Sequence, residues 1–320
     1  MMDYREHSPR RGTQAGSVLL AVLCLVAVLS FLIITTASVA KQHGDQQMTR
    51  QGMMRARQLA EMGVAVAAHP QMKMGDPLLH RELSTLERFS AVISTEEGRI
   101  HLNALLTEER LPVLERVFAF MGLSPAEAQS LAATLMDWSD ADDLKRRPDS
   151  AEKLDYERLG LPGLPLNRPF RSLDEVNLVP QMAKLTAARP YWRVCFTLRG
   201  NGQLDVNTAS ADVIAAVTGT TLATARQMTS HRNGPDGRPH TPDDLVLSTV
   251  DEALALLGIA GDEASALKPL LTPQGQTRRV QSIGMAAESR CGIAVVLTNV
   301  DGGMRVAEWR EFPVEDEQLR

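Results

Sequence analysis

Residues 10–41 read RRGTQAGSVLLAVLCLVAVLSFLIITTASVAK, with two arginines at the start and no charge from Ser17 to Ala40. A helix needs roughly 20 mostly apolar residues to cross a bilayer, so this run is long enough to span. A secretory signal has a shorter apolar core, about 7–15 residues, followed by small residues at the cut. The small residues of "TTASVAK" keep plain secretion open as an alternative. Arg5, Arg10 and Arg11 precede the run. Lysine and arginine are retained on the cytoplasmic side, which predicts a cytoplasmic N-terminus and an exported remainder. "VIAAVTG" and "CGIAVVLTNV" are too short to span and read as a core helix and a core strand.

The 320 residues suffice for one to three compact units. The net charge of -5 argues against a general nucleic-acid binder, which shows a basic footprint. Of three cysteines, Cys24 lies in the apolar run. Cys195 and Cys291 lie in the exported part, where a disulfide can form. Two separately buried thiols are the plainer alternative.

After Lys41 the chain is free of proline until Pro70. "QQMTRQGMMRARQLAEMGVAVAAH" places Met54, Leu59, Met62 and Val66 at helical spacing, so one helix is expected over 17–68, its membrane part at 17–40. Residues 69–103 carry the first strands: "FSAVISTEEGRIHLNAL" reads strand, turn, strand. A helical stretch follows over 107–139, broken at Gly122 and restarted by "SPAE", where Ser124, Pro125 and Glu127 form a capped start. Residues 137–167 read as an acidic loop, and Ser172 with Glu175 as another capping box. "YWRVCFTLRGNGQLDVNTAS" again reads strand, turn, strand and helix start. "GRIHLNA" aligns with "GQLDVNT", pairing Asn103 with Asn207, and "PFRSLDEV" is matched to "PHTPDDLV". Two copies of a small helical unit are the economical reading. Three β-like runs over 276–315 follow, with a turn at Gly302 and Gly303, and residues 316–320 form a polar tail.

A basic leader ending in Gly16, directly followed by the apolar helix, resembles the type IV pilin and pseudopilin class. That resemblance implies a cut by prepilin peptidase between Gly16 and Ser17, methylation of the new N-terminus, and a helix that serves as anchor and assembly element. Ordinary members carry glutamate five residues after the cut; here that residue is Ala21. A carboxylate inside an apolar helix bundle is costly unless paired. In the class its partner is taken to be a neighbouring subunit's free amine. "GRIHLNAL", "LMDWSDADD", "SAEKLDY", "LPLNRPFRSLDEVNLV" and "LDVNTASADVIAAV" resemble, in order, blocks of the general secretion pathway protein K family, the minor pseudopilin known for lacking this glutamate.

The family implies an α+β fold: a long hydrophobic N-terminal helix, a pseudopilin-like antiparallel sheet, and a large inserted helical domain of two SAM-like units. These are expected at 104–190 and 191–275. It also implies a place at the tip of a type II secretion pseudopilus in the inner membrane. The head would stand in the periplasm. Implied partners are the I-type and J-type minor pseudopilins, the major pseudopilin, the prepilin peptidase and the inner-membrane assembly platform.

Asp137, Asp140, Asp142, Asp143, Glu152 and Asp155 supply hard oxygen ligands of the kind calcium takes. Their spacing is not that of an EF-hand, and a solvated acidic loop is the default reading of such a run. The family's association with calcium in its helical domain adds a calcium site as the second reading; no cofactor is required. "DVNTASADVIAAVTGTTLATARQM" also resembles a helix-hairpin-helix DNA-binding module. It keeps only Gly219 of the glycine-rich hairpin, and its basic residues are sparse, so helical packing without nucleic acid is expected. The seven histidines make no H-E-x-x-H pattern, and no G-x-S-x-G or phosphate-binding loop occurs. The chain reads as a structural subunit and not an enzyme, with a DNA-binding tether or an uncut signal-anchored envelope protein as the rivals.

Overall fold

The structure is a computed structural model that describes residues 14–300 and 303–314. Leader residues 1–13, Gly302 of the expected turn, and the tail 316–320 lie outside the described residues. Helix α1 (Gln14–Ala67) leads into strands β1 (His80–Glu82) and β2 (Glu87–Thr95). Strand β3 (Ile100–His101) opens a run of short helices: α2 (Leu102–Leu105), α3 (Leu111–Phe120), α4 (Pro125–Ser139), α5 (Lys153–Arg158), α6 (Leu173–Val176) and α7 (Met182–Ala188). Strands β4 (Phe196–Thr197) and β5 (Leu204–Asp205) introduce α8 (Ala211–Thr218), α9 (Leu222–Arg232), α10 (Val250–Leu256) and α11 (Gly261–Leu267). Strand β6 (Leu271–Thr272) precedes the long strands β7 (Arg278–Ala286), β8 (Ser289–Val300) and β9 (Gly303–Phe312).

The main sheet is antiparallel, in the order β1-β2-β7-β8-β9. Strands β2 and β7 are direct neighbours, with Phe89 opposite Gly284 and Ile93 opposite Val280. All of residues 96–277 is therefore inserted between two adjacent strands of one sheet, as expected from the resemblance.

One face of the sheet carries α1. Ala56, Leu59, Ala60, Val64 and Ala67 are buried against Phe89, Ile93, Val280, Ile293 and Val295. Burying a leucine or valine side chain contributes about 1.5–3 kcal/mol. This differs from the face expected: Met54 is 66% and Met62 39% exposed. The sheet presents Gly284 and Ser282 here, so the backbones come close and small residues, not methionines, fit the seam. A Cβ on Gly284 would run into the Ala56 carbonyl oxygen and the Ala60 nitrogen, and one on Gly63 into the Ser282 hydroxyl. The Arg278 guanidinium donates to the carbonyls of Ala67, the last residue of α1, and of His69 and Met72 in the turn that follows. That contact fixes the end of the sheet from which the insertion hangs.

The insertion is two copies of one plan. In the first, β3 pairs in parallel with β4; in the second, β5 pairs in parallel with β6. The units thus run over about 100–197 and 204–272, and the expected boundaries shift accordingly. Asn103 donates to the Phe170 carbonyl and accepts from the Phe170 amide. Asn207 does the same with Leu247. Glu175 accepts the Arg171 amide, and Glu252 the Ser248 amide. These bonds correct the alignment: "FRSLDEV" corresponds to "LSTVDEA" at 247–253, not to "PHTPDDLV". They also correct the capping box at Ser172, whose side chain accepts from Asp174 while Glu175 turns back to Arg171 and Arg168. The box at Ser124 and Glu127 forms as expected. The expected strand over "YWRVCF" is a 3-10 turn at Trp192–Cys195 ahead of the two-residue β4. It wraps Trp192 onto Phe196, with ring centroids 5.9 Å apart.

Candidate functional site

Among the described residues, nothing packs on the first half of α1. Its apolar residues point outward all round, with Val18 62%, Phe31 67% and Ile34 67% exposed. A helix apolar on every side is stable only in a membrane or a bundle of like helices. By length and composition it can cross a membrane. Three hydroxyls near its end are satisfied internally: Thr35 donates to Phe31, Thr36 to Leu32 and Ser38 to Thr35. Lipid demands such internal satisfaction. Gly16 and Ser17 lie in the first turns of the helix and Ala21 on its exposed surface.

A buried polar joint holds the inserted units to the sheet, and no motif in the sequence pointed to it. Glu96, 1% exposed, accepts from Arg99, from Arg279 at 3.0 Å and from the Thr197 hydroxyl at 2.5 Å. Burial works against its ionisation, but Arg99, Thr197 and Arg279 together hold its carboxyl below the usual range. Glu97, also 1% exposed, accepts the Thr277 amide. The Thr95 hydroxyl, at the end of β2, donates to Asp205 of the second unit at 2.8 Å. Asp205 also accepts the Gly275 amide. The joint thus ties β2, β4, β5 and β7 together. The only sequence signal was two acids in "STEEGR", which reads as a turn until the insertion folds over it.

The acidic stretch comes together in part. Asp137 is fully buried; it accepts from the Ser150 hydroxyl at 2.5 Å and from the Arg146 amide. The Arg146 guanidinium bridges Asp137, Asp140 and Glu108. Glu152 is 3% exposed, and its Oε1, like Oδ1 of Asp140, is buried with no hydrogen-bond partner. Burial pushes the Glu152 carboxyl up to about 7, and nearby Asp137, Asp140 and Asp143 add to the effect. Burial likewise raises Asp137 and Asp140. Beneath them Trp138 stacks on Phe170 at 5.3 Å and meets Tyr156 edge-on at 5.7 Å.

Two of the six expected ligands are taken up in local bonds. Asp142 caps the Leu144 amide, and Asp155 caps the Glu152 amide and pairs with Lys145. Among the described residues no three acidic, histidine or cysteine side chains converge at metal-ligand spacing. The donors of Asp137, Asp140 and Glu152 have the oxygen chemistry of a calcium site, but Arg146 supplies the positive charge. The full six-residue set is not assembled.

Cys195 and Cys291 are both free and buried, one in the core of the inserted units and the other in the core under α1. Burial pushes both thiols up. The disulfide considered above is not formed. At the hairpin between α8 and α9, Gly219 has φ +79° and closes the first helix. Arg116 of α3 donates to the Thr218 carbonyl at 2.9 Å and lies against Gly219. The hairpin is thus packed against an arginine of the other unit.

Residues 98–196 match the family model described as type II secretion system (T2SS), protein K. The type II secretion system protein K of Pseudomonas aeruginosa strain PAO1 is 28% identical over 234 residues, 65% of this chain and 69% of that protein. The crystal structure of the GspK-GspI-GspJ complex from the enterotoxigenic Escherichia coli type 2 secretion system contains a similar chain. It has a TM-score of 0.57 and 15% identity, covering 86% of this chain and 99% of that one. At that identity the likeness is one of fold.

Proposed function

We propose that this chain, which carries the protein K domain of the type II secretion system, is a minor pseudopilin that occupies the tip of the periplasmic pseudopilus. The observation that carries the reading is the place of the insertion. It hangs from the end of the sheet where Arg278 holds the last turn of α1, far from the bare apolar half of that helix. A subunit built this way puts its bulk above the sheet, where the next subunit of a fibre would have to seat.

Ala21 supports the same place. It leaves no buried carboxylate to pair with an earlier subunit's amine, and the first subunit of a fibre has no earlier neighbour. The solved relative is in complex with GspI and GspJ, so the partners proposed here are the I-type and J-type minor pseudopilins, followed by the major pseudopilin. The helix anchors the chain in the inner membrane with the head in the periplasm, pending assembly on the inner-membrane platform. The chain performs no chemistry in this account. Calcium belongs to the proposal only through the partnerless oxygens of Asp140 and Glu152; with no third carboxylate at metal-ligand spacing among the described residues, water would have to fill most of its shell.

The test is intact mass and N-terminal sequencing of membrane-extracted protein, with and without the cognate prepilin peptidase. A mature chain starting at Ser17 only when the peptidase is present is expected. A retained leader, or a cut near Ala40, would sink the assembly mechanism.

A further inference from the structure

The face of the sheet opposite α1 is not flat against the inserted units. Between them opens a cleft of about 740 Å³. Six guanidiniums line it, those of Arg99, Arg171, Arg193, Arg199, Arg279 and Arg310, against the three carboxylates of Glu96, Asp174 and Glu308. The surplus of three positive charges stands in a chain of net charge -5.

The three carboxylates are already engaged. Glu96 is taken by Arg99, Arg279 and Thr197. Asp174 pairs with Arg193 at 2.6 Å and Glu308 with Arg199 at 3.2 Å. Among the described residues, the guanidiniums of Arg171 and Arg310 have no hydrogen-bond acceptor, and both side chains are exposed at the cleft. They come from distant parts of the chain, Arg171 from the start of α6 and Arg310 from β9. Nε of Arg99, which also lines the cleft, is buried and lacks an acceptor. Apolar side chains interleave with the cations: Leu173, Leu198 and Val194, the last 66% exposed.

We propose that this cleft binds an acidic peptide segment of a partner protein, with carboxylates on Arg171 and Arg310 and aliphatic side chains on Val194 and Leu173. A planar guanidinium matches a carboxylate fork, and two guanidiniums lining one cleft without a hydrogen-bond acceptor can each take a carboxylate; Arg171 otherwise has only the field of Glu175 near it. The volume is that of a ligand site, which for peptides combines apolar lining with a few placed charges. A nucleic-acid backbone is disfavoured, because a run of phosphates calls for a continuous basic stripe, whereas Asp174 and Glu308 interrupt the cations here; a short peptide can set single carboxylates on Arg171 and Arg310 and aliphatic side chains between. The proposal depends on the cleft alone and stands or falls separately from the place in a pseudopilus.

The test uses the full chain in detergent and fluorescence anisotropy with a short fluorescein-labelled peptide of glutamate and leucine. Saturable binding that weakens with salt is expected. It should fall by about tenfold or more in the double variant Arg171→Glu, Arg310→Glu, the scale of losing charge-assisted hydrogen bonds. Because both residues are exposed, unchanged circular dichroism should accompany the loss. Arg171→Lys with Arg310→Lys, which keeps the charge and removes the fork, should fall between. Absence of binding, equal binding by the charge-reversed variant, or tighter competition by inorganic phosphate or duplex DNA than by unlabelled acidic peptide would overturn the proposal.

Discussion

Gly284→Val should loosen the assembly helix from its sheet without disturbing the inserted units. A Cβ at 284 stands 2.9 Å from the Cβ of Leu59 and collides with backbone atoms of Ala56 and Ala60. Carbon atoms rest at about 3.5–4.0 Å, so the helix must back away by roughly 1 Å. A gap of that size forfeits about a quarter to a half of each dispersion contact along the seam. Leu59 and Val64 together contribute about 3–6 kcal/mol by burial, so the retreat costs about 1–3 kcal/mol. Overpacking by the added carbons contributes roughly another 1–3 kcal/mol. A loss near 3 kcal/mol lowers the melting temperature of a unit of this size by roughly 6–12 °C. The assay is thermal unfolding in detergent, read together with hydrogen exchange of residues 52–67. Met285→Val, next along the strand and on the other face, is the control. If the glycine variant melts within about 2 °C of wild type, or its exchange rises in the inserted units instead of α1, the packing argument is wrong.

Arg278→Met removes three bonds to carbonyls at the end of α1 and should cost about 1.5–3 kcal/mol in denaturant titration, and a loss below about 0.5 kcal/mol would contradict the capping role. Asn103→Ala should destabilise by about 2–3 kcal/mol, since it clamps both the amide and the carbonyl of Phe170, and Asn207→Ala by about 1 kcal/mol more, since it holds Leu247 the same way and also donates to the Pro273 carbonyl; a negligible loss at either would deny the shared clamp. Folded Glu152 holds its proton up to about pH 7 against 4.5 as the ordinary value, so the fold binds that proton more tightly than the unfolded chain does. Its stability contribution therefore falls as pH rises from 4.5 to 7 and is flat on either side. Glu152→Gln should match wild type near pH 4 and exceed it at pH 8 by about 1–3 kcal/mol, a range discounted for the solvent near the site, and identical melting profiles across that range would refute the assignment. Calcium added to wild type at pH 8 should recover part of the same difference, whereas no shift in melting would remove calcium from the account.

The parts of the fold legible in the sequence were those set by local rules. An uncharged run fixes the first half of α1, "SPAE" fixes the start of α4, and apolar patterning fixes the strands β2 and β7. The repeat was also visible, because Asn103 and Asn207 follow the same glycine-aliphatic pattern. Its second half was misaligned because "PHTPDDLV" imitates a helix start locally, whereas the true equivalence rests on a tertiary bond from Asn207 to Leu247. The face of α1 was misjudged for a related reason. Methionines are the larger apolar residues, but glycine at 284 and serine at 282 let the sheet come close enough that only Ala56, Ala60 and Leu59 fit. The joint around Glu96 and Asp205 was illegible because its partners lie about a hundred residues apart or more. In the acidic stretch, composition pointed to oxygen ligands, but nothing local foretold that Arg146 would bridge Asp137 and Asp140.

The central claim concerns position in a fibre, and the direct measurement is the copy number and location of this chain on isolated pseudopili, read by gold labelling of an epitope on the inserted units. The account predicts a single label at one end of each fibre. Labels distributed along the length would contradict it.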